Sequence, residues 1–352
     1  MRLLAPALIL LALTACVQPQ PAAVMPEAPV SAAPVKPETI PVNPQANVPK
    51  VSTPEVKLLD FLPDPNLPAK SSVTSIGSDS MDPLMQLLMD DFVALHPGTT
   101  YTLISKGSAT CPPAMISGRT LMGQMSREMN ESEIAAFQAK FGYPPTRIVV
   151  AMDALAVYVN ANNPILQLSL EQVDAIFSKD RKAGYPKSLE AWGDLGLTQE
   201  WKNRQIQPYG RDENSGTRAF FKEHVLKNGE YKPTVKAVTD QFELVEAAAM
   251  NASAIAYGPI QHSVGMVRAV PVVDFNATVP VFPTVENILN GKYPLSRFLY
   301  IYVNRRPNHE IDPVLKEFIR FVLSRQGQND VANFGALPLP GDIAAINLNK
   351  IR

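Results

Sequence analysis

The sequence predicts an α/β fold built on parallel sheets. From Ser71 onward, short β-type runs alternate with helical stretches, the pattern of strand–helix–strand units. Several turns from strand to helix are rich in Gly, Ser and Thr, the residues expected where open α/β sheets meet a ligand at the carboxyl ends of their strands. The composition agrees. Of 352 residues, 46% are hydrophobic and 18% charged, and the chain is long enough for two lobes with a core each.

The elements are read in order. Val73-Thr74-Ser75-Ile76 is a short strand. Met81 to Leu95 is helical, because Leu84, Leu87, Leu88, Phe92 and Leu95 recur at spacings of three and four. Tyr101 to Ile104 is a second strand, Glu131 to Phe141 a helix, and Arg147 to Asn160 a long β-type run. Leu170 to Phe177 is a helix, and Asn214 to Leu226 another behind a glycine-bearing loop. Phe242 to Met250 is helical, Ala254 to Tyr257 extended, Leu299 to Val303 a strand and Asp312 to Ser324 a helix.

The N-terminal part obeys different rules. Arg2 precedes the apolar run Leu3 to Leu13, which is too short to span a bilayer and reads as an export signal. It ends in Leu13-Thr14-Ala15-Cys16, which resembles a lipobox, so Cys16 is the expected lipidation site and residues 1–16 the signal peptide. Between Gln18 and Pro68 there are 13 prolines, which remove donors and fix φ. Residues 17–70 are therefore expected to be a disordered Pro-rich tether, whose roughly fifty extended residues would reach up to about 150 Å at ~3.1 Å per residue. Val17 follows the Cys where Asp would retain a Gram-negative lipoprotein at the inner membrane. The implied location is the periplasm, anchored at the outer membrane in a Gram-negative host.

Three turns look built for an oxyanion. The first, Gly77-Ser78-Asp79-Ser80-Met81-Asp82-Pro83, offers N-capping residues, two hydroxyls and helix-start N–H groups. The second, Ser105-Lys106-Gly107-Ser108-Ala109-Thr110, offers hydroxyls and a glycine for close backbone approach. For either one alone, a capped helix or a surface turn explains the residues as well. The third is more specific: Arg211 precedes Ser215-Gly216-Thr217 at a helix start, combining a guanidinium fork with two hydroxyls and successive N–H groups. Arg218 sits in that first helical turn, an unfavourable place for a cation unless an anion lies near or the side chain points to solvent.

Other classes are disfavoured. With 32 basic and 33 acidic residues, the net charge is -1, and no basic stripe marks a nucleic-acid binder. His96, His224, His262 and His309 lack metal-ligand spacing, and there is no Gly-x-Ser-x-Gly elbow. His224 lies too far along its helix to pair with Ser215. The expectation is a binding protein that is no enzyme and needs no metal or cofactor. Cys111 is expected to be a lone buried thiol.

At this point the segments GSDSMDPLMQLLMDDF, SKGSATCPPAMISG, MSREMNESEI, DALAVYVNANNPILQLSLEQVDAIFS, GRDENSGTRAFFKEH, ASAIAYGPI and KYPLSRFLYIYVN resemble the periplasmic phosphate-binding proteins, the substrate-binding subunits of phosphate ABC transporters. The resemblance runs from Ser75 to Pro340. It implies a type II periplasmic binding protein, two α/β lobes joined by a two-strand hinge. One lobe would comprise 71–153 and 258–345, the other 154–257, with crossings near Asp153 and Tyr257-Gly258. It implies inorganic phosphate as ligand and an inner-membrane ABC permease as partner. The binding residues would fall on Ser78, Asp79, Ser80 and Met81, on Ser108, and on Arg211, Ser215, Gly216 and Thr217. Many members carry an Asp after the residue matching Ser126, to accept the proton of hydrogen phosphate. Here Arg127 stands in its place. Asp79 and Asp153 then become the candidate acceptors, and Arg127 either adds charge to the site or serves only as a salt-bridge partner. Other readings stay open: a scavenger, sensor or adhesion-type protein anchored at the outer membrane, or a binder of another tetrahedral oxyanion.

Overall fold

The computed structural model describes residues 58–352, apart from 69 and 263–264. The expected signal peptide, Cys16 and most of the expected tether lie outside the described residues.

The first half of the fold comprises β1 (Ser71–Gly77), α1 (Asp82–Leu95), β2 (Thr99–Ser105), α2 (Cys111–Ile116), β3 (Met122–Met125), α3 (Glu131–Phe141) and β4 (Thr146–Asn160). Then follow β5 (Leu168–Ser169), α4 (Leu170–Phe177), β6 (Gln207–Arg211), α5 (Gly216–His224), β7 (Lys236–Val238), α6 (Gln241–Met250) and β8 (Ala254–Pro259). The chain ends with β9 (Val267–Val270), β10 (Val272–Val273), β11 (Pro280–Val281), α7 (Val285–Leu289), β12 (Ser296–Val303), α8 (Pro313–Val322), α9 (Arg325–Phe334) and α10 (Gly341–Asn349).

The main sheet runs β2-β1-β3-β12-β4-β8-β6-β7, with β9 also on β4. Parallel pairs form its two ends: β1 with β2 and β3, and β6 with β7 and β8. The centre is antiparallel, since β12 runs against both β3 and β4, and β4 against β8. The sheet is thus mixed, where alternation alone predicted parallel pairing. A strand that joins two βα units from the opposite direction gives no signal in its own sequence.

β4 does two jobs along its length. Thr146 to Ala154 pair with β12, and Leu155 to Val159 pair with β8. The hydrophobic clusters divide at the same place. Leu84, Leu88, Phe92, Ile148, Val150, Leu299, Ile301, Phe318 and Val322 belong to one. Leu155, Val157, Phe177, Trp192, Phe221, Tyr257, Val270, Ile288 and Leu295 belong to a second. After Tyr257-Gly258, contacts with the second cluster continue. Residues 267–295 pack with the second cluster, because β9 pairs with Val157 to Asn160 and Leu295 accepts from the Leu155 amide at 2.9 Å.

Packing also begins before Ser71, against the expected tether boundary at residue 70. Phe61 is buried and meets Phe321 edge-on at 5.3 Å. The Phe61 amide donates to Gln326 Oε1 and the Asp64 amide to Glu317 Oε1, both at 2.8 Å. Pro63, Pro65 and Pro68 read as tether, but Leu58, Phe61 and Leu67 supply enough apolar surface to hold the segment on α8 and α9.

Candidate functional site

The three oxyanion-type turns meet. β1 delivers the first, and the Ser78 amide is fixed by the Gln124 carbonyl at 2.8 Å. Gly77 is required there, since a Cβ would stand 2.0 Å from that same carbonyl oxygen. β2 delivers the second turn. Its Gly107 has φ of 98°, and a Cβ would lie 2.4 Å from the Asn214 carbonyl oxygen. The Ala109 amide donates to that oxygen at 3.2 Å, tying the second turn to the third. The third follows β6, and Ser215 caps α5 by accepting from the Arg218 amide at 3.4 Å.

Their hydroxyls form one buried cluster. Ser78 Oγ lies 3.0 Å from Ser80 Oγ and donates to Ser126 Oγ at 3.1 Å. Ser108 Oγ lies 3.3 Å from Ser126 Oγ and accepts from the Ser126 amide at 3.1 Å. Gly216 closes against them: a Cβ there would lie 2.2 Å from Ser108 Oγ and 2.5 Å from Ser126 Oγ. Ser78, Ser80, Ser108, Ser126, Ser215 and Thr217 are all buried. Among the described residues no backbone hydrogen bond engages the amides of Ser80, Met81, Gly216 or Thr217. Helix-start amides of this kind carry the positive end of the helix dipole.

Two ion pairs flank the cluster. Arg211, buried at 1% exposure, contacts Asp79 and donates to the Thr239 carbonyl at 2.6 Å. Its Nε and Nη1 have no hydrogen-bond partner, nor has Asp79 Oδ1. Arg297 donates to Asp153 Oδ2 from Nε at 3.0 Å and from Nη2 at 2.8 Å. Its Nη1 reaches the Ser126 carbonyl and Thr217 Oγ1, each at 3.1 Å. Asp153 Oδ1 is buried without a partner. A cavity of about 520 Å³ borders Asp79 on one flank, and one of about 810 Å³ borders Arg297 on the other.

Behind Arg211, Tyr257 Oη accepts from the Arg211 amide at 3.4 Å and lies 3.0 Å from Tyr231 Oη. Burial pushes both phenols up, so they stay protonated and neutral. Arg218 turns back rather than outward. It donates to the Arg211 carbonyl at 2.9 Å and lies 3.8 Å over the Tyr231 ring. The cation at the wrong end of the helix is thereby placed on a carbonyl and a π face.

Not every expected residue joins the cluster. The Met81 side chain is fully buried in the first core, leaving only its backbone to serve the site. Arg127 is directed to Glu133, bonded from both Nη atoms at 2.7 Å, and to the Glu128 carbonyl at 2.7 Å. Glu133 is also the capping-box residue of α3, which holds it in place for the pair.

A family model for the PBP superfamily domain matches residues 63–326. Over 288 residues the chain is 38% identical to the phosphate-binding protein PstS of Pseudomonas aeruginosa, covering 80% of this chain and 89% of that one. The chain belongs to the phosphate-binding family of substrate-binding proteins. Solved structures agree. A phosphate ABC transporter substrate-binding protein with bound phosphate from Clostridium perfringens superposes with a TM-score of 0.63 at 25% identity, covering 76% of this chain and 99% of that one. An ABC-type phosphate transport receptor from Vibrio cholerae shares the fold, with a TM-score of 0.60 at 24% identity over 76% of this chain and 100% of that one. The fold is that of type II periplasmic binding proteins.

The residue that sequence reasoning missed is Arg297. It lies in a strand whose alternating Phe, Leu, Tyr and Ile read only as a β signal, and its partners are 80 to 171 residues away. Among the described residues no group of three or more His, Cys, Asp or Glu is placed to hold a metal.

Proposed function

We propose that the chain binds inorganic phosphate at the serine cluster and serves as the substrate-binding component of a phosphate ABC transporter. The observation that carries this is the convergence of three turns, far apart in sequence, into one buried set of neutral donors. Phosphate is strongly hydrated, so a site must replace its water shell with nearly as many hydrogen bonds. The hydroxyls of Ser78, Ser80, Ser108, Ser126, Ser215 and Thr217, the helix-start amides including that of Met81, and the spare N–H groups of Arg211 form such a set. An entering anion exchanges serine–serine bonds for serine–phosphate bonds. A protonated phosphate also needs an acceptor. Asp79 Oδ1 and Asp153 Oδ1 are the unpartnered carboxylate oxygens beside the cluster, which supports these two as acceptors in place of the Asp that Arg127 replaces.

In this reading the lobes are 58–153 with 296–352, and 154–295, and they close over the anion about the crossings in β4 and at the start of β12. The chain binds rather than catalyses, as its family does. It acts outside the cytoplasm, tethered through a lipidated Cys16, and hands phosphate to an inner-membrane permease. Mass spectrometry of the mature N-terminal peptide tests the anchor: an unmodified residue other than Cys16 at the N-terminus refutes it. Isothermal titration with phosphate and sulfate tests the site. Wild type should bind phosphate and discriminate against sulfate, and Ser215→Ala and Arg211→Ala should each weaken phosphate at least tenfold while melting near wild type. Unchanged affinity in both variants refutes the site assignment.

A further inference from the structure

We propose that Arg297 is a positioning residue that fixes Thr217 as a donor toward the anion, and that it works by geometry rather than by charge. The inference rests on the phosphate-binding reading above and adds a residue to it.

Arg297 stands opposite Asp153 in the β12–β4 register, one residue before β4 passes from β12 to β8. Both side chains are buried. Four hydrogen bonds leave its guanidinium: two to Asp153 Oδ2, one to the Ser126 carbonyl and one to Thr217 Oγ1. Ser126 follows β3 and Thr217 lies in the first turn of α5, so one planar group ties the strand crossing to two turns of the site.

A guanidinium can only donate. Thr217 Oγ1 is therefore the acceptor of this bond, and its single hydroxyl hydrogen is left to donate elsewhere. An anion oxygen is the partner that such a hydrogen suits. The Arg297 charge is matched by Asp153 at 2.8 Å, so the pair brings no net charge to the site. What remains is direction. The rigid fork fixes the directions of its bonds to Asp153, Ser126 and Thr217, which a lysine ammonium does not reproduce.

The test is a double-mutant cycle on the full-length protein, read by isothermal titration with inorganic phosphate. Arg297→Lys keeps the charge and loses the fork. It should weaken phosphate about tenfold, as removal of one charge-assisted hydrogen bond does. Thr217→Val should weaken it at least as much. The double variant should bind within about twofold of Thr217→Val alone, because the arginine acts through the threonine. Multiplying losses, or an Arg297→Lys variant with wild-type affinity, overturns the proposal. Should Arg297→Lys fail to fold, the neutral pair Arg297→Gln with Asp153→Asn replaces it in the cycle. Any loss of Asp153 as a proton acceptor then enters both backgrounds equally, and only the Arg297–Thr217 link makes them differ. A wild type that binds no phosphate refutes the functional reading beneath the proposal. A wild type that binds, with independent effects at 297 and 217, refutes the role of Arg297 alone.

Discussion

Gly216→Ala isolates the approach of the third turn to the serines. Gly216 is the first residue of α5, with ordinary helix-start geometry, and alanine is the better helix former. The local helix should therefore lose nothing. The cost arises across the cluster. A Cβ at 216 would lie 2.2 Å from Ser108 Oγ and 2.5 Å from Ser126 Oγ, where ordinary contact begins at 3.4 Å. The turns must separate by about 1.2 Å (3.4 − 2.2) at the first oxygen and about 0.9 Å (3.4 − 2.5) at the second. Overpacking of this kind costs about 1–3 kcal/mol. If the anion is held by the assembled turns, that cost appears in binding, and at 1.4 kcal/mol per decade the dissociation constant for phosphate should rise roughly 5- to 150-fold. The assay is isothermal titration with phosphate, paired with thermal melts with and without it. The melt without phosphate should shift little and the phosphate-induced stabilisation should shrink. Affinity within twofold of wild type would show that the Gly216 turn does not close on the anion, and the convergence argument would fail.

Two further outcomes are expected. Asp330 is buried and faces Asp91, and its carboxyl is pushed up to about 7, first by burial and then by that neighbour. A raised carboxyl stabilises fully below its unfolded value near 3.8 and loses that contribution as pH rises through about 7. Asp330→Asn should therefore gain melting temperature over wild type at pH 8, lose most of that advantage by pH 5 and the rest near pH 4; a difference independent of pH refutes the reading. Burial pushes the Cys111 thiol up. Peptide mapping after maleimide treatment should find Cys111 unlabelled in the native protein and labelled in denaturant, and rapid native labelling would contradict its buried place beside Met115.

What the sequence revealed and what it hid follow from the range of the interactions. α1, α3, β4 and α4 were legible because periodicity and caps are local: Asn130 and Ser169 each close a capping box three residues on. The hydroxyl turns were legible only together, since Gly, Ser and Thr at one helix start read equally well as an ordinary cap. The antiparallel place of β12 and the Arg297–Asp153 pair were not, since each depends on which distant strand lies alongside. Arg297 and Asp153 are 144 residues apart, and nothing near either one announces the other. The packed segment at 58–68 was hidden for a different reason. Three prolines dominate its local signal, while Phe61 acts only once α1, α8 and α9 have made a surface for it.

The charge arrangement explains why a chain with net charge -1 can suit an anion. Each guanidinium at the cluster is matched by a carboxylate, Arg211 by Asp79 and Arg297 by Asp153. A bare buried arginine would attract any anion, and would also be costly to hold in the protein interior. Pairing removes both effects and leaves discrimination to the direction of individual hydrogen bonds. The unpartnered oxygens of the same two carboxylates would then do what a lone cation could not. In the proposed phosphate site they would accept a proton from an anion that carries one and repel an anion that carries none. In the proposed site, two ion pairs with one free oxygen each would stand in for the aspartate that the family resemblance implies where this chain has Arg127. The proposed site thus puts its selectivity in Asp79 and Asp153 and its donor geometry in the serines, Thr217 and Arg297.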